Sequence, residues 1–136
     1  GLKNIYFLNP VPKKELAILL REEIDIGLMI LNNIEEFYYG TSPNKFFDYV
    51  ASGLPILINY PGWIANLVIE KKIGCYCPPD DYKNFGDTVI DLYMNRKKLN
   101  NYSRNSRKLA EDEFSKKIMS EKFFNLLNVA SAKIRR

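Results

Sequence analysis

The sequence contains no histidine and only two cysteines. Any mechanism that needs an imidazole base or a Ser-His pair would therefore have to take it from another chain or domain. Cys75 and Cys77 lie two positions apart, so in a strand both side chains share one face. They are expected to be buried thiols in a reducing compartment; the alternative is a ligand pair, for which a zinc site would need further ligands.

Long hydrophobic runs are also missing. No apolar stretch approaches the roughly 20 residues of a transmembrane helix, and the N-terminus lacks the charged, apolar and small-residue order of a signal peptide. The sequence therefore predicts a cytoplasmic protein. With 136 residues, of which 46% are hydrophobic and 26% are charged, one globular domain over 1–136 is expected.

Charge is divided unevenly along the chain. Residues 1–95 carry 8 basic and 12 acidic side chains, whereas residues 96–136 carry 12 basic and 4 acidic ones. A basic tail of this kind is typical either of a solvated helix face or of contact with an anionic surface.

Apolar patterns predict an α/β fold. Strand-like runs alternate with helical ones and are joined by short loops, which favours a Rossmann-like, doubly wound parallel sheet with helices on both faces. The core should span about 3–95 and a helical tail about 96–134. Predicted strands cover 3–8, 24–31, 55–59 and 73–77; predicted helices cover 13–23, 43–52, 63–70, 81–94, 96–113 and 115–134.

Four strands are fewer than the five or six of a usual doubly wound domain. We therefore expect the sequence to be the C-terminal part of a longer protein.

The stretch "GTSPNKFFDYVASGLPI", residues 40–56, has the features of a phosphate-binding helix start. Ser42 suits the N-cap and Pro43 the first helical position, so free amides would face the loop. These amides and the helix dipole favour an anion, and Lys45 adds a full positive charge. Asp48, one turn further on, could accept hydrogen bonds from a ribose diol. The simpler alternative is that Lys45 and Asp48 form only a surface pair.

The string "DIGLMIL…GTSPNKFFDYVASGLPILI", followed by "IEKKIGCYCPPDD", resembles the donor-binding half of retaining glycosyltransferases of family 4, which have the two-domain GT-B architecture. The resemblance covers residues 4–114, and the motif at 42–55 is specific. It implies that the acceptor site belongs to an N-terminal domain absent from this chain.

Roles for individual residues follow from this resemblance. Ser42, Pro43, Asn44 and Lys45 would hold the diphosphate of a sugar nucleotide, next to the loop at Gly40 and Thr41. Asp48 matches the second acid of the family's paired-acid motif, which binds ribose.

Further positions would be structural or less specific. Gly53 and Pro55 would end the helix and start the next strand, and residues 73–77 would line the base pocket.

One position departs from the family pattern. The first of the paired acids would fall at position 40, which is Gly40 here. Glu35 or Glu36, in the same loop, could replace it in contacting the donor sugar; the alternative is that both are merely solvated.

The implied reaction is transfer of a sugar from a nucleotide sugar to an acceptor hydroxyl with retention at the anomeric carbon. Lys45 and the helix amides would stabilise the departing diphosphate. No metal or other cofactor is implied, because no Asp-x-Asp pair is present and Asp80-Asp81 suit a helix cap. The donor nucleotide is expected to be UDP, the most frequent nucleotide in the family. The expected process is surface polysaccharide synthesis.

The final helix predicts a further contact. Phe123, Phe124 and Leu127 form an apolar stripe beside a basic end, which favours docking within the protein. A lipid-linked acceptor would instead allow peripheral binding to the inner membrane face. No nucleic acid partner is expected.

Two other functions remain as alternatives. A sugar-nucleotide 2-epimerase would share the diphosphate site, but a histidine would be expected. A receiver-like or other non-catalytic α/β module shares the alternation of strands and helices, but a receiver's phosphoacceptor lies at a strand's end, whereas Asp25 lies at a strand's start.

The role assigned to the loop glutamates can be tested by charge removal. If Glu36 or Glu35 contacts the donor sugar, Glu36→Gln or Glu35→Gln should lower the turnover of the full-length protein about tenfold or more, because each removes a charged hydrogen-bond acceptor. Turnover left unchanged by both substitutions would contradict the replacement of the missing acid.

Overall fold

The structure, a computed structural model, describes residues 2–134. It has three short strands, and helices make up most of the remaining chain. The strands are β1 (Gly27–Met29), β2 (Ile56–Ile58) and β3 (Gly74–Tyr76); the helices are α1 (Lys13–Glu22), α2 (Asn44–Ser52), α3 (Trp63–Glu70), α4 (Tyr82–Met94), α5 (Arg96–Glu113) and α6 (Lys116–Ile134), with a 3-10 helix at Glu35–Phe37.

The strands form one parallel sheet in the order β1-β2-β3. In this register Leu28, Leu57 and Cys75 lie in one row across the sheet. Each crossover between neighbouring strands contains a helix, as parallel pairing requires. The predicted α/β class with a parallel sheet is therefore confirmed.

The predicted strand at 3–8 is wrong. Residues 3–8 are exposed and outside any regular element, although Ile5, Tyr6 and Phe7 have high strand propensity. Among the described residues, β1 pairs only with β2, so this segment has no partner strand. Propensity alone does not make a strand, because a strand is stabilised by its ladder and its cross-strand contacts.

Helix α2 anchors the core on one face of the sheet. Phe46 and Val50, one turn apart, are fully buried, and the Phe46 ring meets those of Phe47, Trp63 and Phe114 edge-on at 5.2 to 6.0 Å. The helix must stop before Pro55. Gly53 allows this with a φ of 73°, and the N–H groups of Gly53 and Leu54 bond to the carbonyls of Val50 and Tyr49 at 3.1 and 2.9 Å.

The opposite face of the sheet is only partly covered. Leu57 is buried, the Cys75 thiol lies 3.9 Å from the Tyr102 hydroxyl of α5, and the Cys77 sulfur lies 3.4 Å from Thr88 of α4. In the same row, Leu28 of β1 remains 41% exposed. Helices therefore contact both faces, but α4 and α5 leave β1 open on this side.

Helix α5 crosses the amino edge of the sheet and bonds to three backbone carbonyls there. The side chains of its consecutive residues Asn105, Ser106 and Arg107 donate to the carbonyls of Lys72, Leu54 and Ala51 at 2.9, 2.8 and 2.5 Å. The Lys72 carbonyl precedes β3, the Leu54 carbonyl precedes β2, and the Ala51 carbonyl lies in the last turn of α2. Ser106 is fully buried, so its hydrogen bond replaces water that the Leu54 carbonyl cannot reach.

Helix α6 extends from α5 with little contact to the rest of the chain. The predicted apolar stripe of Phe123, Phe124 and Leu127 is 62%, 63% and 49% exposed. Among the described helices, none has an apolar stretch long enough to cross a bilayer.

The role of Ser106 can be measured through stability. Ser106→Ala removes the hydroxyl that bonds to the Leu54 carbonyl and leaves that buried acceptor unpaired. The free energy of unfolding, measured by urea denaturation, should fall by about 1 to 3 kcal/mol.

Ser120→Ala is the matched control, because Ser120 is exposed on α6 and should change the free energy of unfolding by less than about 0.5 kcal/mol. Equal effects of the two substitutions would show that the Ser106 bond does not hold α5 to the sheet.

Candidate functional site

The carboxyl ends of the three strands open onto one group of loops. Residues 30–43 follow β1, residues 59–62 follow β2, and residues 77–81 follow β3. Ligands of open parallel sheets bind at this edge, outside the ends of the strands. Helix α2 begins here, because it returns antiparallel to β1.

Asn59 fixes the loop that leaves β1. Its side-chain oxygen accepts from the Leu31 N–H and its side-chain nitrogen donates to the Leu31 carbonyl, both at 2.9 Å. Its own N–H bonds to the Met29 carbonyl at 3.1 Å. One amide side chain thus extends the pairing of β1 and β2 beyond the last ladder residue. Sequence reasoning missed this role, whose only signal was a polar residue directly after the apolar "PILI".

A second network joins the loops after β1 and β3. The Tyr38 hydroxyl donates to Asn33, whose amide nitrogen donates to an Asp80 carboxylate oxygen at 2.6 Å. Tyr38 is buried, and burial raises the pKa of its hydroxyl, with the Asp80 carboxylate as a further cause. The hydroxyl therefore stays protonated and acts as a donor throughout the neutral range.

The loop after β2 packs closely on the same network. Gly62 has a φ of 125°, and a Cβ there would lie 2.6 Å from the Tyr38 carbonyl oxygen. Any other residue would push the two loops apart. Asp81 caps α4 by accepting from the Asn84 N–H at 2.9 Å, which confirms the predicted cap, whereas Asp80 takes a left-handed φ of 62°.

Helix α2 begins one residue later than predicted. Pro43 has an extended ψ of 136° and occupies the cap position, so the first helical residue is Asn44. The prediction that Ser42 caps the helix is wrong, because Ser42 lies one position too early and no side-chain cap forms. The Pro43 carbonyl accepts from the Phe46 N–H at 3.1 Å.

The helix start remains open to a ligand. Within residues 2–134, the N–H groups of Asn44 and Lys45 have no hydrogen-bond partner. Lys45 is exposed and forms no ion pair with any described residue. The preceding turn is fixed by the Thr41 hydroxyl, which donates to the Phe37 carbonyl. Gly40 is exposed, with open space where a side chain would stand.

Asp48 faces the neighbouring helix. The Lys13 ammonium of α1 lies 3.0 Å from one Asp48 carboxylate oxygen, and the carboxylate is 28% exposed. The two residues line a cavity of about 310 Å³ that Arg21 and Arg107 also border, and Lys45 is not part of its lining. Sequence reasoning did not identify Lys13 as a partner of Asp48. The available signal was the position of Lys13 in the first turn of the helix that precedes β1.

The remaining predicted residues lie further from the helix start. Glu35 and Glu36 form the exposed 3-10 helix, and neither makes an ion pair with a described residue. Ile73 is buried at the amino end of β3, the edge opposite Lys45. Cys75 is half-buried and free, and burial raises the pKa of its thiol, while the Tyr102 hydroxyl acts in the other direction.

Among the described residues, no group of three or more acidic or cysteine side chains could hold a metal ion.

Comparisons with known proteins find no relative. No protein-family model, curated protein or solved structure matches the chain. Its function must therefore be inferred from its residues and their geometry.

The Asn59 interaction predicts a specific loss of order. Asn59→Asp keeps the acceptor for the Leu31 N–H but places a charged oxygen against the Leu31 carbonyl. Amide hydrogen exchange in residues 30–43 should accelerate, and the free energy of unfolding should fall by about 1 to 3 kcal/mol.

Asn66→Asp changes the same chemical groups on the exposed side of α3 and should leave exchange in residues 30–43 unchanged. If Asn59→Asp also leaves that exchange unchanged, Asn59 does not order the loop.

Proposed function

We propose that this chain is the donor-binding domain of a retaining glycosyltransferase with the GT-B architecture. It would hold a nucleotide diphosphate sugar, expected to be a UDP-sugar, at the carboxyl edge of its sheet. Two observations together support this function: the resemblance of the motif at 42–55 to the family, and the geometry of the α2 start.

The open start of α2 is the observation that carries the proposal. Among the described residues, the N–H groups of Asn44 and Lys45 have no hydrogen-bond partner and the Lys45 ammonium has no ion-pair partner. Both lie at the positive end of the helix dipole. The helix itself would favour an acidic side chain in its first turn, and this helix has none there. A strongly anionic ligand such as a diphosphate would complement this arrangement.

The neighbouring loop residues would complete the diphosphate site. Ser42 is exposed and its hydroxyl does not cap the helix, so it could donate to a phosphate oxygen. Gly40 and Thr41 would let the loop approach the ligand closely. Pro43 would hold the loop extended ahead of the helix.

Asp48 would accept hydrogen bonds from the ribose hydroxyls. Its carboxylate lies in the second turn of α2, deeper than Lys45, and keeps one oxygen without a hydrogen-bond partner among the described residues.

In the proposed reaction, the bond between the anomeric carbon and the diphosphate oxygen breaks, and the acceptor oxygen bonds to that carbon on the same face. The proton of the acceptor hydroxyl would pass to the departing diphosphate oxygen. Charge builds up on the departing diphosphate. Lys45 and the α2 amides would stabilise this charge in the transition state. Glu36 or Glu35 would contact the donor sugar, and the acceptor would bind to a separate domain.

The proposed setting is the cytoplasmic side of surface polysaccharide synthesis. A lipid-linked saccharide as acceptor would bring the protein to the inner membrane face, and the basic surface of α5 and α6 would favour anionic lipid there. The absence of a membrane-crossing helix in residues 2–134 is compatible with this setting.

Calorimetric titration with UDP, GDP and dTDP tests the proposal. One nucleotide should bind, and Lys45→Ala and Asp48→Asn should each weaken it by about 1 to 2 kcal/mol, roughly fivefold to thirtyfold, because each removes a charged partner.

Two controls carry the same substitutions elsewhere. Lys97→Ala removes an exposed lysine of α5, and Asp87→Asn removes the ion-paired carboxylate of α4, which lies 2.6 Å from Lys83. Both should bind as tightly as the wild type. Equal losses of nucleotide affinity in Lys45→Ala and Lys97→Ala would show only general charge attraction and contradict the proposal, and so would unchanged or tighter binding in Asp48→Asn.

A further inference from the structure

The Lys13–Asp48 contact joins two helices at the candidate site. Lys13 lies in the first turn of α1 and Asp48 in the second turn of α2. The Lys13 Nζ atom lies 3.0 Å from the Asp48 Oδ1 atom. The Lys13 side chain is 79% exposed and the Asp48 side chain is 28% exposed. An exposed ammonium group therefore contacts a partly buried carboxylate.

Among residues 2–134, Lys13 is the one basic residue that pairs with the carboxylate, although two arginines border the same cavity. Arg21 bonds to Glu22 at 2.8 Å. Arg107 bonds to Glu111 at 2.7 Å and to the Ala51 carbonyl at 2.5 Å. Both guanidinium groups therefore bond to other acceptors, and Lys13 is the partner that Asp48 has within the described part of the chain.

An unrestrained aspartate side chain rotates about two bonds and would present its oxygens to a ligand in many orientations. An ion pair on one oxygen limits this rotation. The other oxygen can still accept two hydrogen bonds, which is what adjacent ribose hydroxyls offer. A carboxylate that is already oriented loses less conformational entropy when the ligand binds.

We propose that Lys13 is a positioning residue that orients Asp48 for the ribose hydroxyls of the nucleotide. The inference rests on the proposed function, since it assigns Asp48 to ribose. Lys13 would act through Asp48, so its contribution should appear with ligands that contain a ribose diol and disappear with those that lack one.

The experiment titrates the chain with UDP, 2′-deoxy-UDP and pyrophosphate. Lys13→Met should weaken UDP binding about threefold to fivefold, the upper part of the range expected for losing one partly exposed ion pair. It should change 2′-deoxy-UDP binding less and leave pyrophosphate binding unchanged. Lys13→Arg, which keeps a cation at the same position, should restore most of the UDP affinity.

Lys14→Met is the matched control. Lys14 is the next residue of α1, is exposed and pairs with no described acidic residue. It should leave UDP binding within twofold of the wild type. Similar losses in the Lys13 and Lys14 variants, or a Lys13 effect that persists with pyrophosphate, would show bulk attraction and overturn the inference.

A double variant separates this inference from the proposed function. If Lys13 acts through Asp48, Lys13→Met should cause no further loss of UDP affinity once Asp48→Asn is present. If Asp48→Asn lowers the UDP affinity but Lys13→Met does not, the positioning role of Lys13 is overturned, whereas the nucleotide site remains supported. No loss with Asp48→Asn, or no binding of UDP, GDP or dTDP by the wild type, would overturn the proposed function and this inference with it.

Discussion

Three consecutive side chains of α5 hold the architecture together at the amino edge of the sheet. Asn105, Ser106 and Arg107 each bond to a different backbone carbonyl, so one helix joins the starts of β2 and β3 to the end of α2. The strands contain only three residues each, and such short ladders define a sheet weakly. With its C-terminal end held by α5, α2 must present its N-terminus at the opposite edge, where the candidate site lies.

At that carboxyl edge, order comes from side chains rather than from regular structure. Asn59 bonds to both backbone groups of Leu31, and Asn33 links the buried Tyr38 to Asp80. These contacts join the loops after β1, β2 and β3 into one surface around the start of α2. Functional loops are commonly held by a rigid scaffold in this way. The ion pair of Lys13 and Asp48 joins α2 to α1 beside a separate cavity, whose lining does not include Lys45.

Substantial apolar surface lies away from the site. Leu28 in the middle of β1 and Phe123 on α6 remain exposed, although their sequence patterns indicate burial. Exposed aromatic and aliphatic side chains that follow one helix face commonly mark contact surfaces.

The sequence alone determined the order and nearly all the bounds of the helices, because apolar periodicity and the residues at helix ends are local signals. The Asp81 cap and the glycine at position 53 are examples. The sequence also predicted the position of Lys45 and Asp48 on one helix. Tertiary structure decided whether residues 3–8 form a strand, because strand formation requires a partner. It also decided the late start of α2 after Pro43 and the pairing of Asp48 with Lys13 across 35 positions of sequence. Such long-range contacts depend on how the helices pack, which no local pattern specifies.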